Sequence, residues 1–337
     1  MFHKVAIANR GTVAARLVRT LRSMGLKSVV LHSEADRGLP YVAEADESRL
    51  LGPSPAPQSY LNQEAIVAEA LEAGAEAIHP GYGFLSENPA FAEKVIRAGL
   101  VFIGPDPKWL RLLGDKTEAK KIMAARGFPV CPSTGPLRGP LEEQVRAAAA
   151  LGLPLLIKPA AGGGGIGMPP VWEGSKLAGA LESAAKLAAR SFSDPALYAE
   201  RLLVDPRHVE FQIAADKHGR AVHIFERDCS VQRRRQKVVE EAGAPALPPE
   251  EVRALADRAA GVMESLGYDH LGTLETLYHP ETGFAFLEVN PRLQVEHGVT
   301  EEVTGLDLAA AQIRLAAGLP LDEALPGRPE APRGHAV

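Results

Sequence analysis

The stretch Val5-Ala6-Ile7-Ala8-Asn9-Arg10-Gly11-Thr12-Val13 decides the fold class. Val5 to Ala8 form a short apolar strand. Beyond the turn, Val13, Leu17, Val18, Leu21 and Met24 recur at helical spacing on one face, and Gly25 ends that helix. The alternation then repeats. Ser28 to His32 read as a strand, Gln63 to Ala73 as a helix and Glu76 to His79 as a strand. Asn88-Pro89 opens another helix, with Asn88 as N-cap and Pro89 in the first turn. Leu100 to Ile103 closes the series. Strands alternating with helices predict an α/β chain beginning with a doubly wound, mostly parallel sheet. The first turn, Asn9-Arg10-Gly11, lacks the spaced glycines of a dinucleotide fingerprint, which argues against a nicotinamide enzyme.

The pattern changes at Gly104-Pro105. A helix with Leu110, Leu113 and Ile122 leads into a Pro- and Gly-rich loop between Pro129 and Pro140. A strand (Leu153 to Lys158), a glycine run, a helix (Lys176 to Arg190) and a strand (Leu197 to Leu203) read as a small separate lobe. A helix over Glu250 to Leu266 precedes a hairpin with strands near Leu271 to Tyr278 and Phe284 to Asn290, joined by His279-Pro280-Glu281-Thr282-Gly283. The last residues, rich in Pro and Gly, look like the start of a further segment.

Length and composition narrow the class. The chain has 337 residues, enough for two or three domains, and its 46% apolar and 23% charged residues are ordinary for a globular protein. A net charge of −5 gives no reason to expect nucleic acid or an anionic membrane as partner. No apolar run is long enough to span a bilayer, and the N-terminus has no signal-peptide pattern, so a cytoplasmic location is expected. Cys131 and Cys229 match no metal-ligand spacing and read as free thiols.

Three patterns carry chemistry. The run Gly162 to Gly165, Ile166 and Gly167 follows Lys158 between two strands. It reads either as a flexible linker or as a flap whose backbone N–H groups close on phosphates. It is not a Walker loop, because no Gly-Lys-Ser/Thr closes it. On the hairpin, Glu275 and Glu288 read as facing carboxylates, with Glu288 and Asn290 on one face. They are either solvated or bridged by a divalent cation, since hard oxygen ligands suit magnesium. If the segment after Pro291 is extended, Arg292, Gln294 and Glu296 point the same way. An Arg fork can hold a small planar anion, and a carboxylate beside it can take its proton. Taken alone, the strip Arg227, Gln232, Arg233, Arg234, Arg235 and Lys237 reads as a solvated face or a nucleic-acid patch; the flanking acids Glu226, Asp228, Glu240 and Glu241 and the lack of interleaved aromatics favour an anion-binding wall.

With these blocks in place, the chain resembles the biotin carboxylase family of the ATP-grasp superfamily, from Ile7-Ala8-Asn9-Arg10-Gly11 to Arg333-Gly334-His335-Ala336-Val337. The most specific matches are His79-Pro80-Gly81-Tyr82-Gly83-Phe84-Leu85-Ser86-Glu87-Asn88, Gly114-Asp115-Lys116, Glu226-Arg227-Asp228-Cys229-Ser230 and Gln294-Val295-Glu296-His297. The resemblance implies an N-terminal domain over 1–112 and an ATP-grasp domain over 113–320, with a small glycine-flap lobe at about 130–204. It also implies the start of a truncated C-terminal domain over 321–337. Lys116 and Lys158 would contact ATP phosphates under the flap Gly163, Gly164 and Gly165. Glu200, Leu202 and Leu203 would line the adenine pocket, and His208 would reach the ribose region. Met168, Gln232, Arg235 and Leu277 would complete the ligand contacts. Glu275, Glu288 and Asn290 would hold magnesium or manganese. Lys237, Arg292, Gln294 and Val295 would hold bicarbonate, with Glu296 as its general base and Tyr82 bordering the biotin site.

The same resemblance implies biotin on a separate carrier protein, carboxyltransferase partners and a homodimer, with no nucleic acid or membrane. Ile166, Pro169-Pro170, Arg235 and Gly298 depart from the family pattern, and the first three bear on nucleotide affinity and flap closure. Two other readings compete. One is a different ATP-grasp ligase, against which the His79 and Arg292 blocks argue. The other is a truncated or divergent chain that binds nucleotide or a partner without turnover.

Overall fold

A computed structural model describes residues 2–159, 170–192, 196–234 and 236–337, with backbone alone at 190–192. Gly163, Gly164, Gly165, Ile166, Met168, Pro169 and Arg235 therefore lie outside the described residues. The chain forms two compact units: Met1–Asp115, Val209–Glu275 and Glu288–Val337 make the first, and Lys116–His208 with Thr276–Leu287 the second.

The first unit opens with β1 (Lys4–Ile7), α1 (Gly11–Ser23), β2 (Lys27–Ser33), α2 (Pro40–Glu44), β3 (Glu47–Gly52), α3 (Gln63–Glu72), β4 (Ala77–His79), α4 (Pro89–Arg97), β5 (Val101–Phe102) and α5 (Pro107–Gly114). The five strands pair in the order β3-β2-β1-β4-β5, all parallel. Side chains alternate along a strand, so both faces need cover. Val5 and Ile7 of β1 pack with Val13, Leu17, Val18 and Leu21 of α1. Ala6 and Ala8 face the other way, into a core with Ile66 and Ala70 of α3 and Phe91 and Val95 of α4. This is the doubly wound arrangement expected from the sequence.

After β4 the chain turns at Gly81, whose φ of +64° favours glycine. A Cβ there would sit 2.9 Å from Asn9 Nδ2 and 3.0 Å from Val13 Cγ2. Asn9 donates to the carbonyls of Pro80 and Tyr82 at 2.7 and 2.8 Å, so the β1–α1 turn clamps this loop.

The second unit contains α6 (Lys116–Ala125), α7 (Leu141–Ala149), β6 (Leu155–Pro159), α8 (Leu177–Phe192) and β7 (Leu197–Arg201). The strands β6 and β7 pair antiparallel over a core of Leu155, Ile157, Leu177, Leu181, Leu197 and Ala199. The single helix expected across Leu110 to Ile122 is two helices. Asp115 adopts an extended φ, ψ of −84°, 105° and ends α5.

The remaining elements are β8 (Arg207–Ala215), β9 (Ala221–Arg233), β10 (Gln236–Ala242), α9 (Pro249–Leu266), β11 (Leu271–His279), β12 (Gly283–Asn290), α10 (His297–Thr304), α11 (Leu308–Ala316) and α12 (Leu321–Ala324). Their strands form a sheet in the order β10-β9-β8-β11-β12. Ala214, Ile224, Leu271 and Leu293 join the α1 side of the first sheet's core through Leu308, Ile313 and Leu315 of α11. Among the described residues, no helix is long and apolar enough to cross a membrane.

Candidate active site

The densest charge cluster of the first unit is built around Lys237 on β10. Its ammonium donates to Glu210 Oε2 at 2.6 Å, Glu296 Oε1 at 2.6 Å and Glu275 Oε1 at 3.1 Å. Glu210 lies on β8, where alternation puts it on the same face as Gln212, and its side chain is fully buried. Its other oxygen accepts from Arg227 Nε. Arg227 is itself fully buried and also donates to Gln212 and Thr300 at 2.9 Å and to Thr273 at 3.3 Å. This corrects one sequence expectation. Arg227 is no part of an anion-binding wall, because its guanidinium is consumed inside the fold.

Two cations thus meet three carboxylates in one buried network. Burial works against the Lys237 charge, but Glu210, Glu275 and Glu296 outweigh it and raise its pKa. Burial alone would raise Glu296, but the Lys237 charge and hydrogen bond hold it below the ordinary carboxylate range. Glu296 is therefore an anion at neutral pH. The Cys229 thiol lies within 4.8 Å of oxygens of Glu210 and Glu296. Burial and then the Glu210 charge push its pKa up, so it stays protonated and suits neither a nucleophile nor a metal ligand.

The hairpin and the segment after it add a second layer. Asn290 Nδ2 and Gln294 Nε2 donate to Glu275 Oε1 at 2.7 and 3.1 Å. Arg292 donates from Nη1 to Gln294 Oε1 at 2.9 Å and from Nη2 to Asn290 Oδ1 at 3.3 Å, and from Nε to Glu87. Glu288 precedes Asn290 by two residues on β12 and shares its face. Carboxylates and an amide oxygen form a donor set that fits magnesium or manganese. The segment from Arg292 is not extended throughout: Glu296 has φ, ψ of −80°, 9° as the residue before α10. Glu296 is brought to its place by Lys237 rather than by strand alternation. Val295 is 64% exposed, Tyr82 is half-buried, and Gln232 lies opposite Lys237 in the β9–β10 pairing.

The second unit holds its own cluster. Glu200 on β7 accepts from Lys158 of β6 and, at 2.6 Å, from Lys120 of α6. Burial alone would raise its pKa, but the two lysine charges hold it below the ordinary range. Lys116 stands exposed at the start of α6. Leu202, Leu203 and Leu277 are half-buried, and His208 is buried. Cys131 is pushed up to about 11, chiefly by burial, which makes it inert.

Sequence reasoning missed Glu210, Lys120 and any role for Glu87. Glu210 had a signal: a carboxylate inside the apolar run Val209 to Ala215 must meet a partner charge. Lys120 had none, being one of several helix lysines.

Comparison with known proteins identifies the family and the fold. Residues 1–110 match the family model described as biotin carboxylase, N-terminal domain, and residues 115–324 that of carbamoyl-phosphate synthase L chain, ATP binding domain. A biotin carboxylase of Allochromatium vinosum is 50% identical over 95% of this chain and 72% of its own length. Biotin carboxylase 2 of Bacillus subtilis is 48% identical over 94% and 72%. A crystal structure of Campylobacter jejuni biotin carboxylase in a β,γ-ATP complex matches with a TM-score of 0.90 at 40% identity, covering 99% of this chain and 74% of that one. The biotin carboxylase domain dimer of Hydrogenobacter thermophilus 2-oxoglutarate carboxylase, with MgADP, ADP and bicarbonate, matches with a TM-score of 0.88 at 40% identity over 99% and 73%.

Proposed function

The chain belongs to the biotin carboxylase family of ATP-dependent ligases, and from that premise we propose that it carboxylates biotin with ATP and bicarbonate. The observation that supports this most is the Lys237 bridge to Glu296 beside the Arg292 fork. It places an ionised carboxylate among cations able to hold a small oxyanion.

In this reading Lys237, Arg292, Gln294 and Val295 hold bicarbonate, and Glu296 takes its proton. The freed oxygen attacks the γ-phosphorus of ATP, the bond to ADP breaks, and carboxyphosphate forms. That species separates into carbon dioxide and phosphate. The phosphate takes the proton from the biotin nitrogen, which attacks carbon dioxide, with Tyr82 bordering the biotin. Glu275, Glu288 and Asn290 hold magnesium or manganese, whose charge offsets that of the nucleotide phosphates. Lys116 and Lys158 recognise those phosphates, together with Gly163, Gly164, Gly165 and Met168 of the flap. Glu200, Leu202, Leu203, His208 and Leu277 recognise the nucleoside. Glu200 also orders Lys158 and Lys120 through its two hydrogen bonds before nucleotide arrives. Biotin is carried on a separate carrier protein, a carboxyltransferase uses the product, and the chain works as a homodimer.

Glu296→Ala tests the reading. Turnover of bicarbonate-dependent ATP cleavage should fall by about 10²–10⁴, the range for losing a general base, while ATP affinity hardly moves. Normal turnover with a large loss of ATP affinity would mean that Glu296 is structural.

A further inference from the structure

The Glu87–Arg292 pair joins residues 205 positions apart, both inside the first unit. Among the described residues, every other hydrogen bond of the Arg292 guanidinium goes to its own segment: Leu293 O at 3.2 Å, Gln294 Oε1 at 2.9 Å and Asn290 Oδ1 at 3.3 Å. Those acceptors are neutral and move with the segment that carries Arg292. Glu87 is the carboxylate of the set and, among the described residues, the one partner from outside that segment.

Glu87 itself stands on a fixed backbone. Ser86 N donates to Gly83 O at 3.0 Å and Asn88 N to Leu85 O at 3.1 Å. The Asn88 side chain caps α4 by accepting from Phe91 N at 2.9 Å. Leu85 and Ser86 on its N-terminal side are buried. We propose that Glu87 is a positioning residue: it fixes the plane of the Arg292 guanidinium and so sets the geometry in which bicarbonate is held. The doubly wound sheet then contributes to the chemistry by presenting this one carboxylate.

The exposure of the pair decides between orientation and stability as its role. Side chains of Glu87 and Arg292 are 40% and 20% exposed, so solvent screens their attraction and the pair adds little to folding. The same screening weakens any repulsion between Glu87 and an incoming anion. Orientation is the larger effect, because misplacing a reactant by about 1 Å can lower a rate on the order of 10²-fold.

The inference rests on the reading of Arg292 as a bicarbonate clamp, and the test separates the two. ADP formation would be followed against bicarbonate at saturating magnesium-ATP for Glu87→Ala, Glu87→Asp, Arg292→Ala and the Glu87→Ala/Arg292→Ala double variant. Glu87→Ala should lower kcat/KM for bicarbonate on the order of 10²-fold, with KM for ATP and Tm unchanged. Glu87→Asp should recover part of the loss. Glu87→Ala should have no further effect when Arg292 is already absent. An impaired Arg292→Ala beside a normal Glu87→Ala overturns the positioning role and leaves the clamp standing. Additive losses in the double variant, or an equal loss toward both substrates with a lowered Tm, also overturn it. Unchanged bicarbonate dependence in Arg292→Ala overturns the clamp and the positioning role together.

Discussion

The Lys237 ammonium donates to the Glu296 carboxylate at 2.6 Å, and this bond decides the charge of the residue we propose as base. A carboxylate this buried, left alone, would resist ionisation, and Lys237 reverses that preference. The sign follows directly. Because the folded-state pKa lies below the unfolded one, the pair stabilises the fold above the unfolded carboxylate pKa. That stabilisation is lost as pH falls through the depressed value.

Lys237→Met should therefore move the acidic limb of the pH–rate profile upward. Burial would then act on Glu296 unopposed by its nearest cation. Removing an opposite charge at this range typically raises a carboxylate pKa by about 1–3 units. Residual ATP cleavage measured between acid and neutral pH would check it. An acidic limb identical to that of the parent would show that Glu296 is not the titrating base.

Glu288→Gln should abolish magnesium-dependent ATP cleavage and leave the fold intact. Glu288 is half-buried on β12, two residues before Asn290, whose amide is already bound to Glu275. Replacing a carboxylate by an amide removes a full charge from a donor set suited to a divalent ion. Cleavage titrated with magnesium, alongside circular dichroism, reads both effects. Parent-like metal dependence would place the ion elsewhere.

Arg227→Met should destabilise the protein by about 3–5 kcal/mol, the usual cost of removing one partner of a buried pair. Glu210 is fully buried and loses a guanidinium, though Lys237 still compensates part of its charge, which favours the lower end. Denaturant unfolding with an unchanged m-value would measure it. Adding Glu210→Gln should recover part of the loss. A drop below about 1 kcal/mol would mean that Lys237 alone suffices.

These residues also mark where the sequence was legible. The doubly wound sheet could be read because strand and helix periods differ, and Val5 to Val13 carried both in one stretch. The hairpin and Arg292 to Glu296 stood out through charges placed in short motifs. β9 and β10 did not, because strands rich in Arg, Glu and Gln lack the apolar alternation that betrays a strand, whereas β8 carried that alternation in Val209-Glu210-Phe211-Gln212-Ile213 and was passed over. The role of Arg227 was misread for the same reason. In sequence it belongs to a basic strip, and only the pairing of β8 with β9, which sets Glu210 opposite it, shows that it is buried. The Glu87–Arg292 bond spans most of the chain, and no local pattern could announce it.

The histidine pair in the core of the first unit gives the last prediction. His79 and His270 are both fully buried, and among the described residues neither ring nitrogen of His270 has a hydrogen-bond partner. Burial lowers both pKa values to about 3, and for His270 the neighbouring His79 lowers it further. Both rings are therefore neutral when folded, while in the unfolded chain they take up protons below about 6.5. Between those values the unfolded state binds more protons, so stability must fall as the pH drops from about 6.5 toward 3. Each ring contributes a slope of about 1.4 kcal/mol per pH unit across that window and nothing above it. His270→Leu should remove one of the two contributions. It should also relieve two orphaned polar atoms, so stability at neutral pH should not drop. Unfolding free energies of the parent and the variant, measured from pH 7 down to pH 4, would test this. An unchanged slope in the variant would mean that His270 is already protonated or hydrated in the native state.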